Sequence, residues 1–393
     1  MKPNKTCAII ADIKKRDGLF PLTAKRPVSL LPFNGMYRMI DFNLSNMKDA
    51  NINSIFMIFN QGMTKSVIDH ISGGKEWNLN NLPNRSFMHF YQEDNGDDDE
   101  HYYDAIIEYI KKSDSEFTFF MGNKMLCNID LNKVLDVHKT HKKDITVIYK
   151  EIESHRVTTD DIVFELDSND IVTNSSTFSP ETFVNETANM YLNVAVVNSE
   201  WLVNELTKWR ENDDVVRVED VIRETLQSNK TWGYEYTGYL SNIHNIKAYY
   251  DANMSMLDSD KYLSLVEPSK KIYMKNINEV PTYHSASSEV NNSQIAAGCL
   301  IYGEVVHSIL SRGTKVSEGA EISHSITMSK SLIKEDAVVQ YAILDKNVLI
   351  ESGIKVIGTK ENPIVIKKNA HITEDMIQIG ESVDERLILH SGM

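Results

Sequence analysis

The sequence has few cysteines and no long hydrophobic run, and each shortage excludes a class of protein. The three cysteines, Cys7, Cys127 and Cys299, are too widely spaced for a disulfide framework or a metal-ligand pattern. The longest apolar runs, residues 52–59 and 117–121, are far shorter than the roughly 20 residues that cross a bilayer. The N-terminus has no hydrophobic signal region. We therefore expect a cytoplasmic protein that is not embedded in a membrane.

Positive charge is also in short supply. The 393 residues carry 41 Lys and Arg against 56 Asp and Glu, which gives a formal net charge of −15. Nucleic-acid backbones and anionic membrane surfaces attract cationic proteins, so neither is expected as a partner. The sequence favours a small molecule or another protein instead. Its length predicts more than one domain.

Up to about residue 255, apolar runs alternate with amphipathic stretches. The runs lie at residues 7–11, 52–60, 117–122, 145–149 and 191–197, and the stretches lie at 41–50, 63–71, 102–112, 131–141 and 218–228. Because the runs are continuously apolar, they predict strands that are buried on both faces, as in a mostly parallel sheet covered by helices. We therefore predict a Rossmann-like α/β domain with its cleft beyond the carboxyl ends of the strands.

From about residue 290 a different period begins. Aliphatic residues recur in steps of six at Ile326, Leu332, Val338, Leu344, Ile350 and Val356, and upstream at Leu310, Val316 and Ile322 and at Leu300 and Val306. A period of six is typical of a parallel β-helix, in which each short face of a coil points one aliphatic side chain inward. The alternative is a generic β-rich domain in which the period is a coincidence.

The region between the two patterns predicts the domain boundary. Residues 251–289 indicate a helix followed by an irregular connection that contains Pro268 and Pro281. We predict an α/β domain over residues 1–255, a helix and linker over 256–289, and a β-helix over 290–393. Solenoids expose long lateral surfaces, so the β-helix is predicted to serve oligomerisation or regulation.

The N-terminal segment carries a long motif string. It reads PLTAKRP over residues 21–27, LPFNGMYR over 31–38 and IDFNLSN over 40–46, followed by Asp69-His70 and GKEW over 74–77. The string resembles the opening of ADP-glucose pyrophosphorylase (glucose-1-phosphate adenylyltransferase), whose members show PLT…R, PFGGKYRLIDF and LSN at matching spacings. The resemblance implies a nucleotidyltransferase-like α/β domain followed by a left-handed parallel β-helix, and with the six-residue period it covers the whole chain.

The phosphate-binding loop that this resemblance implies is altered. Adenylyl transfer needs a glycine-rich loop whose backbone N–H groups hold the triphosphate. The family's GGxGTRL falls on residues 13–19, which read IKKRDGL here, so three glycines are replaced and the family's arginine falls on Gly18. Lys14, Lys15 and Arg16 retain positive charge. The segment is therefore either a vestigial phosphate loop or an exposed basic turn without a ligand.

The metal ligands that the resemblance implies are also replaced. The family ends a central strand with GD, whose aspartate binds Mg²⁺, whereas here Asn123 follows residues 119–122. The second aspartate, in the family's RDVGT motif, falls on Asn242. A neutral amide attracts a divalent cation much less than a carboxylate does. We therefore expect no bound metal and no cofactor.

The cations that would hold the sugar phosphate are missing as well. The family's EKP lysine should follow a strand near residues 164–172, but residues 174–180 read NSSTFSP without a lysine. The lysine that follows RA in the family opening is Val28 in this chain. No catalytic position is intact. The degenerate positions are Asn123, Asn242, Gly18 and Val28.

These combined losses resemble the GlgD-type, non-catalytic subunits of bacterial ADP-glucose pyrophosphorylase. The resemblance implies a regulatory protein of glycogen biosynthesis that pairs with a catalytic homologue in a hetero-oligomer, a heterotetramer in the family. Such a subunit shifts its partner's conformational equilibrium without doing chemistry. A homo-oligomer of the chain alone and a small phosphorylated effector stay open.

Two other functions stay open at this point. One is an active enzyme with a rebuilt metal site that uses Asp12, Asp17 or the acidic run 97–99; the other is a stand-alone sensor of a sugar phosphate or nucleotide. We expect the run 97–100 to be a solvated loop. His138 and His141 lack a third ligand nearby for zinc. The GGK at residues 73–75 lacks the rest of a P-loop.

Overall fold

The computed structural model describes residues 5–71, 73–79, 86–91, 96–211, 217–226, 231–267 and 270–378. The chain divides into two compact units, neither of which is continuous in sequence. Unit 1 comprises residues 1–15, 40–240 and 270–273, and unit 2 comprises residues 16–39, 241–269 and 274–393. Segment 16–39 thus groups with the C-terminal residues and not with its neighbours in sequence.

Helices form at all five amphipathic stretches. The α-helices of the described residues are α1 (Met39–Asp49), α2 (Thr64–Ile71), α3 (Gly96–Ser113), α4 (Leu131–His141), α5 (Ser199–Glu211), α6 (Val218–Thr225), α7 (Ile246–Met254) and α8 (Ser259–Leu265). The predicted helix 218–228 is α6, and its residues 227 and 228 lie outside the described residues. Helix α5 was not predicted. None of the described helices is long and apolar enough to cross a membrane.

The expectation of a loop at residues 97–100 is wrong. Helix α3 begins at Gly96, so the backbone of the acidic run is helical. Acidic residues are favoured in the first turn of a helix, because they interact with the positive end of its dipole. The side chains of the run lie outside the part of the chain that the structure describes.

Unit 1 is built on a mixed sheet. The strands up to residue 242 are β1 (Thr6–Asp12), β2 (Pro32–Phe33), β3 (Tyr37–Arg38), β4 (Ser54–Asn60), β5 (Ser86–Tyr91), β6 (Phe117–Met121), β7 (Met125–Leu126), β8 (Ile145–Glu153), β9 (Ile162–Leu166), β10 (Val172–Thr177), β11 (Thr187–Asn198), β12 (Thr231–Glu235) and β13 (Ser241–Asn242). Of these strands, only β2, β3 and β13 belong to unit 2. The sheet order is β10-β9-β11-β6-β1-β4-β5, and β8 pairs with β11 and β12. Strands β6, β1, β4 and β5 are parallel, whereas β11 runs antiparallel to β6. Strands β1 and β6 therefore end at the same edge of the sheet.

One face of this sheet packs on α3, α5 and α6. Ile9 and Phe120 from the sheet share one hydrophobic core with Ile106 of α3, Leu202 of α5 and Val221 of α6. Every residue of β1 is buried. Burial on both faces explains why these strands are continuously apolar in the sequence.

Unit 2 contains a parallel β-helix. Its strands are β14 (Tyr283–His284), β15 (Glu289–Asn291), β16 (Gln294–Ile295), β17 (Leu300–Ile301), β18 (Glu304–Val306), β19 (Ile309–Leu310), β20 (Lys315–Val316), β21 (Glu321–Ser323), β22 (Ile326–Thr327), β23 (Leu332–Ile333), β24 (Val338–Gln340), β25 (Ala342–Leu344), β26 (Leu349–Ile350), β27 (Lys355–Ile357), β28 (Ile364–Ile366), β29 (His371–Ile372) and β30 (Met376–Ile377). They form three parallel sheets, β14-β17-β20-β23-β26-β29, β15-β18-β21-β24-β27-β30 and β16-β19-β22-β25-β28. The β-helix predicted from the six-residue period is confirmed.

The inward residues differ in part from the aliphatic series that the six-residue period predicts. The buried interior includes Ile301, Val305, Leu310, Val316, Ile322, Ile333, Val339, Leu344, Ile350 and Val356. The prediction of an inward side chain was wrong at Leu300, Val306, Leu332 and Val338. Each of these residues is at least partly exposed and stands beside an inward neighbour.

The length of a coil explains this difference in phase. Val316 pairs with Ile333, and Ile333 pairs with Ile350, which is a repeat of 17 residues. One of the three steps in such a coil must therefore be shorter than six. It falls before Thr327, which stands in register with Leu310 and Leu344 in place of the predicted Ile326.

Segment 16–39 belongs to unit 2 because it packs on α7 and on the β-helix. The Tyr249 hydroxyl donates to the carbonyl oxygen of Pro32. The Asn34 backbone N–H donates to Oδ1 of Asn253 at 2.9 Å. A Cβ at Gly35 would lie 3.4 Å from Cγ2 of Ile309, so the backbone approaches this strand closely. The motif segment is thereby fixed to the C-terminal half of the chain.

Candidate functional site

Asn123 lies just beyond the carboxyl end of β6, and its side chain joins this end to β1. The residue is 7% exposed. Its Nδ2 donates to the carbonyl oxygen of Ala11 at 3.0 Å, and its Oδ1 accepts from Nδ2 of Asn43 at 3.3 Å. The same Nδ2 of Asn43 lies 3.0 Å from the carbonyl oxygen of Gly122. The partners fix the orientation of the amide, because the Ala11 carbonyl can only accept a hydrogen bond.

This arrangement suits an amide and not a carboxylate. An ionised carboxylate has no N–H to donate, so it would face the Ala11 carbonyl oxygen with charge of the same sign. Among the described residues, no three His, Cys, Asp or Glu side chains come together as metal ligands do. Asn123 therefore has a structural role at the end of β6, at the position where the family resemblance implies a metal ligand.

The substitution Asn123→Asp is expected to lower the free energy of unfolding by about 1–3 kcal/mol, because it removes a buried donor and leaves the Ala11 carbonyl unsatisfied. We also expect it to confer no adenylyltransferase activity. Urea denaturation and a pyrophosphate-release assay measure the two effects. The control is Asn132→Asp, an exposed asparagine whose Nδ2 makes only a long bond of 3.4 Å to Asp49. An active Asn123→Asp protein would contradict this interpretation.

The loop at residues 13–19 lacks the geometry of a glycine-rich loop. All seven residues are described, and none of them has a positive φ. Ile13 is buried, and its carbonyl oxygen accepts a hydrogen bond from Nδ2 of Asn60 at 2.8 Å. Lys14 and Lys15 are exposed and Arg16 is half-buried. The basic residues thus remain accessible to an anion, but the backbone does not form the expected cradle.

Gly18 occupies a position that has no room for a side chain. A Cβ there would lie 2.9 Å from the carbonyl oxygen of His244 and 3.2 Å from Cβ of Asn245. Because the nearest atom belongs to the backbone, it cannot rotate away as a side chain would. The family's arginine does not fit at this position unless the loop moves.

Val28 lies in a 3₁₀ turn, Val28–Leu30, and is 3% exposed. A lysine at this position would bring its charged group out of water, which is costly without a partner. The packing of this turn is therefore specific for an apolar residue. The position that the resemblance assigns to a lysine therefore lies in the interior of unit 2.

Asn242 is half-buried in β13. Its carbonyl oxygen accepts a hydrogen bond from Nδ1 of His244 at 3.2 Å. Asn242 belongs to unit 2, whereas Asn123 belongs to unit 1. The structure places each of the two residues within its own unit.

The segment predicted to lack the sugar-phosphate lysine forms β10 and the turn after it. Phe178 is 5% exposed and its ring lies 5.1 Å from that of Phe183. Beside this segment is a groove of 260 Å³, lined by Asn174, Ser176, Asn189 and others. Among the described residues that line it, the only charged one is Glu165. A groove with this lining offers no cation to a phosphate.

His138 and His141, which lack a third zinc ligand nearby in the sequence, pack against other side chains in the structure. His138 is buried, and its Nδ1 and Nε2 lie 2.9 Å from Oγ1 of Thr146 and 3.3 Å from Oδ1 of Asn198. Burial lowers the pKa of His138 below its ordinary value. The ring of His141 stacks on Trp232 with centroids 3.4 Å apart. The two side chains therefore have different partners.

Two buried cations form ion pairs that were not predicted. In unit 2, Nη2 of Arg26 lies 2.7 Å and 2.9 Å from the two carboxylate oxygens of Asp345. In unit 1, Nζ of Lys124 lies 2.8 Å from Oδ1 of Asp160 and 2.5 Å from Oδ1 of Asp161. Arg26 stands inside the motif string, but no sequence signal connects it to a residue more than 300 positions away. Pairs of this kind become visible only in the folded chain.

The fold and the strand-end site define a nucleotidyltransferase domain joined to a hexapeptide-repeat β-helix. The nucleotidyl transferase family matches residues 17–170, and the GlmU-like C-terminal hexapeptide family matches residues 278–379, which agrees with a left-handed β-helix. The chain is similar to a GlgD protein and to glucose-1-phosphate adenylyltransferases.

The matches to these relatives cover almost the whole chain. The glycogen biosynthesis protein GlgD of Bacillus subtilis is 26% identical over 369 residues, which are 93% of this chain and 96% of the relative. The glucose-1-phosphate adenylyltransferase of Bacillus cytotoxicus is 25% identical over 98% of this chain and 100% of its own length. The corresponding enzyme of Acetivibrio thermocellus is 25% identical over 96% of this chain and 88% of its own length.

Proposed function

We propose that this chain acts in ADP-glucose synthesis, and so in glycogen biosynthesis, as a non-catalytic subunit that regulates a catalytic relative. The names of the GlgD and adenylyltransferase relatives support the role in ADP-glucose synthesis. The observation that carries the lack of catalysis is the amide of Asn123, which donates to Ala11 where a metal ligand is needed. The partner is a catalytic homologue, in a hetero-oligomer that is a heterotetramer in the family pattern.

Three further features support the lack of catalysis independently of the metal position. Gly18 has no room for the arginine, and Val28 is buried in place of a lysine. The described lining of the groove beside β10 contains no cation. Positioning and charge stabilisation supply most of the rate in phosphoryl and nucleotidyl transfer, so losses of this kind multiply.

A regulatory role needs a surface that the partner can bind. The state of the cysteines also bears on the compartment in which the protein works. The first coil of the β-helix exposes Tyr283 and Val290 at 52% and 40%, and Leu300, paired with Tyr283 at the start of the second coil, is 38% exposed. Exposed apolar side chains in one region are typical of surfaces that other proteins cover. The three cysteines are free and buried. We therefore propose a hetero-oligomer in the cytoplasm.

The test is an assay of ADP-glucose formation with ATP, Mg²⁺ and glucose-1-phosphate. Alone, the chain is expected to show no turnover above background. Mixed with a catalytic homologue from the same organism, it is expected to change the rate of the homologue or its response to a phosphorylated effector. A turnover of about 1 per second or more for the chain alone would contradict the proposal. A homologue that neither binds nor responds would contradict the regulatory part.

The groove of 260 Å³ favours a second candidate, a stand-alone sugar sensor. Asn174, Ser176 and Asn189 contribute amide and hydroxyl groups to its lining, and Phe183 contributes a ring. These are the groups that hydrogen-bond sugar hydroxyls and stack on sugar rings. Calorimetry with glucose and glucose-1-phosphate, done without a catalytic homologue, separates this function from the first.

A further inference from the structure

Lys124 is a buried cation that directly follows Asn123 at the end of β6. Its side chain is only 2% exposed. Taking an ammonium group out of water is costly unless carboxylates and hydrogen bonds compensate for the lost hydration. The groups that contact its Nζ therefore determine the role of this lysine. The loop that precedes β9 supplies them, through Thr158, Asp160 and Asp161.

Two carboxylates of this loop meet the ammonium group, and we call Asp160 and Asp161 the carboxylate pair. Nζ of Lys124 lies 2.8 Å from Oδ1 of Asp160 and 2.5 Å from Oδ1 of Asp161. It also lies 3.5 Å from Oγ1 of Thr158. The side chain of Asp161 is fully buried, whereas that of Asp160 is 36% exposed. One carboxylate therefore belongs to the interior, and the other opens the pair to solvent.

The loop holds Asp161 in place by hydrogen bonds that do not involve the lysine. Its Oδ2 accepts from the backbone N–H and from the hydroxyl of Thr158, both at 2.8 Å. Its own backbone N–H donates to the carbonyl oxygen of Thr158 at 2.9 Å, and its carbonyl oxygen accepts from the N–H of Phe178 at 2.8 Å. We therefore expect Asp161 to keep its position when the ammonium group is removed.

The carboxylate pair has the chemistry of a site for a divalent cation. Carboxylate and hydroxyl oxygens, completed by water, are the ligands that Mg²⁺ and Mn²⁺ prefer. Two carboxylates held close together repel each other unless a cation lies near both. In this chain that cation is the ammonium group of Lys124, which cannot dissociate because it is part of the chain. A metal ion could enter only by displacing it, and the displaced ammonium group would then be buried without a carboxylate.

We propose that Lys124 is a built-in cation that occupies the carboxylate pair and excludes divalent metal ions from it. This role deepens the proposed lack of catalysis and rests on it, because residues 123 and 124 supply an amide and a cation where the resemblance implies a metal ligand. A cation of the same chain competes with free ions at a high effective concentration. Mg²⁺ at the concentration of an activity assay is therefore expected to leave the pair without a metal.

The test measures Mn²⁺ binding to the full chain from the electron paramagnetic resonance signal of the unbound ion. The unchanged chain is expected to have no Mn²⁺ site at the carboxylate pair. Lys124→Ala removes the ammonium group and leaves room for a hydrated ion, so it is expected to gain one site with a dissociation constant of about 1 mM or lower.

Two further variants control for the position of the gained site. Asp161→Asn, added to Lys124→Ala, is expected to weaken the site about tenfold or more, because an amide carries no charge. Lys133→Ala breaks the exposed pair of Lys133 with Asp130 in the same unit and is expected to gain no site. If Lys124→Ala does not fold, Lys124→Gln repeats the test with the same expected gain, because its amide can still donate to Asp161 while the charge is gone.

Two results would overturn the role of Lys124. Equal Mn²⁺ binding by the unchanged chain and by the folded variant that lacks the ammonium group would mean that the carboxylate pair takes no metal even when it is vacated. A Mn²⁺ site in the unchanged chain that Asp161→Asn removes would mean that the lysine does not exclude the metal. ADP-glucose formation by the unchanged chain would instead contradict the proposed function, so the two failures are distinguishable.

Discussion

The substitution Arg26→Met is expected to lower the free energy of unfolding of unit 2 by about 3–5 kcal/mol, because it leaves the Asp345 carboxylate buried without its cation. The two side chains are only 7% and 4% exposed, and both oxygens of Asp345 lie within 2.9 Å of Nη2 of Arg26. Hydrogen exchange of β-helix peptides during urea denaturation measures the loss in unit 2 directly.

Two further variants separate the charge from the packing. The double substitution Arg26→Met with Asp345→Leu removes both charges, so most of the stability should return. Asp251→Asn breaks the exposed pair between Lys247 and Asp251 in the same unit and should cost less than about 0.5 kcal/mol. A cost below about 1 kcal/mol for Arg26→Met alone would mean that the buried pair contributes little to holding segment 16–39 on the β-helix.

The substitution Val339→Asp is expected to destabilise the β-helix by more than about 4 kcal/mol, because it places a carboxylate without a partner in the interior. Val339 is fully buried and stands in register between Ile322 and Val356. The α/β core of unit 1 is built from other residues and should keep most of its structure. Exchange rates measured separately in β21–β27 and in β1–β6 would show this difference.

The neighbouring residue provides the control for the direction of the side chain. Val338 is half-exposed and stands in an outward row between Glu321 and Lys355. An aspartate there meets one charge of each sign, so Val338→Asp should change the stability by less than about 1 kcal/mol. Equal destabilisation by the two variants would contradict the assignment of Val339 to the interior and Val338 to the surface.

The comparison of Val338 with Val339 also shows what the sequence can predict. The six-residue period identified the β-helix correctly, because the coils of this fold place an aliphatic residue inside at that spacing. It did not identify the inward residue, since several strands carry two aliphatic residues in succession, such as Leu332 and Ile333. The pattern is then equally regular in either phase, and only the 17-residue pairing decides between them.

The site shows the same division between local and distant information. The replacements at Asn123 and Val28 can be read from the motifs, because each motif is a short continuous string. The sequence could not show that Asn123 donates to Ala11, that Gly18 lies against His244, or that the turn of Val28 is buried. These contacts join residues far apart along the chain, and their geometry depends on how the units fold.

The 17-residue coil has a consequence for how the length of this chain can change. Removal of one whole coil would bring Val316 directly onto Ile350, because each is already in register with Ile333. Removal of six residues would instead shift every later strand onto the neighbouring sheet, and the register would be off by one residue in each coil because one of its three steps is five residues long. The extra residues between Val356 and Ile366 are tolerated because they bulge between β27 and β28 and leave β28 paired with β25. Insertions at corners and gains or losses of whole coils are therefore the changes in length that this domain can accept.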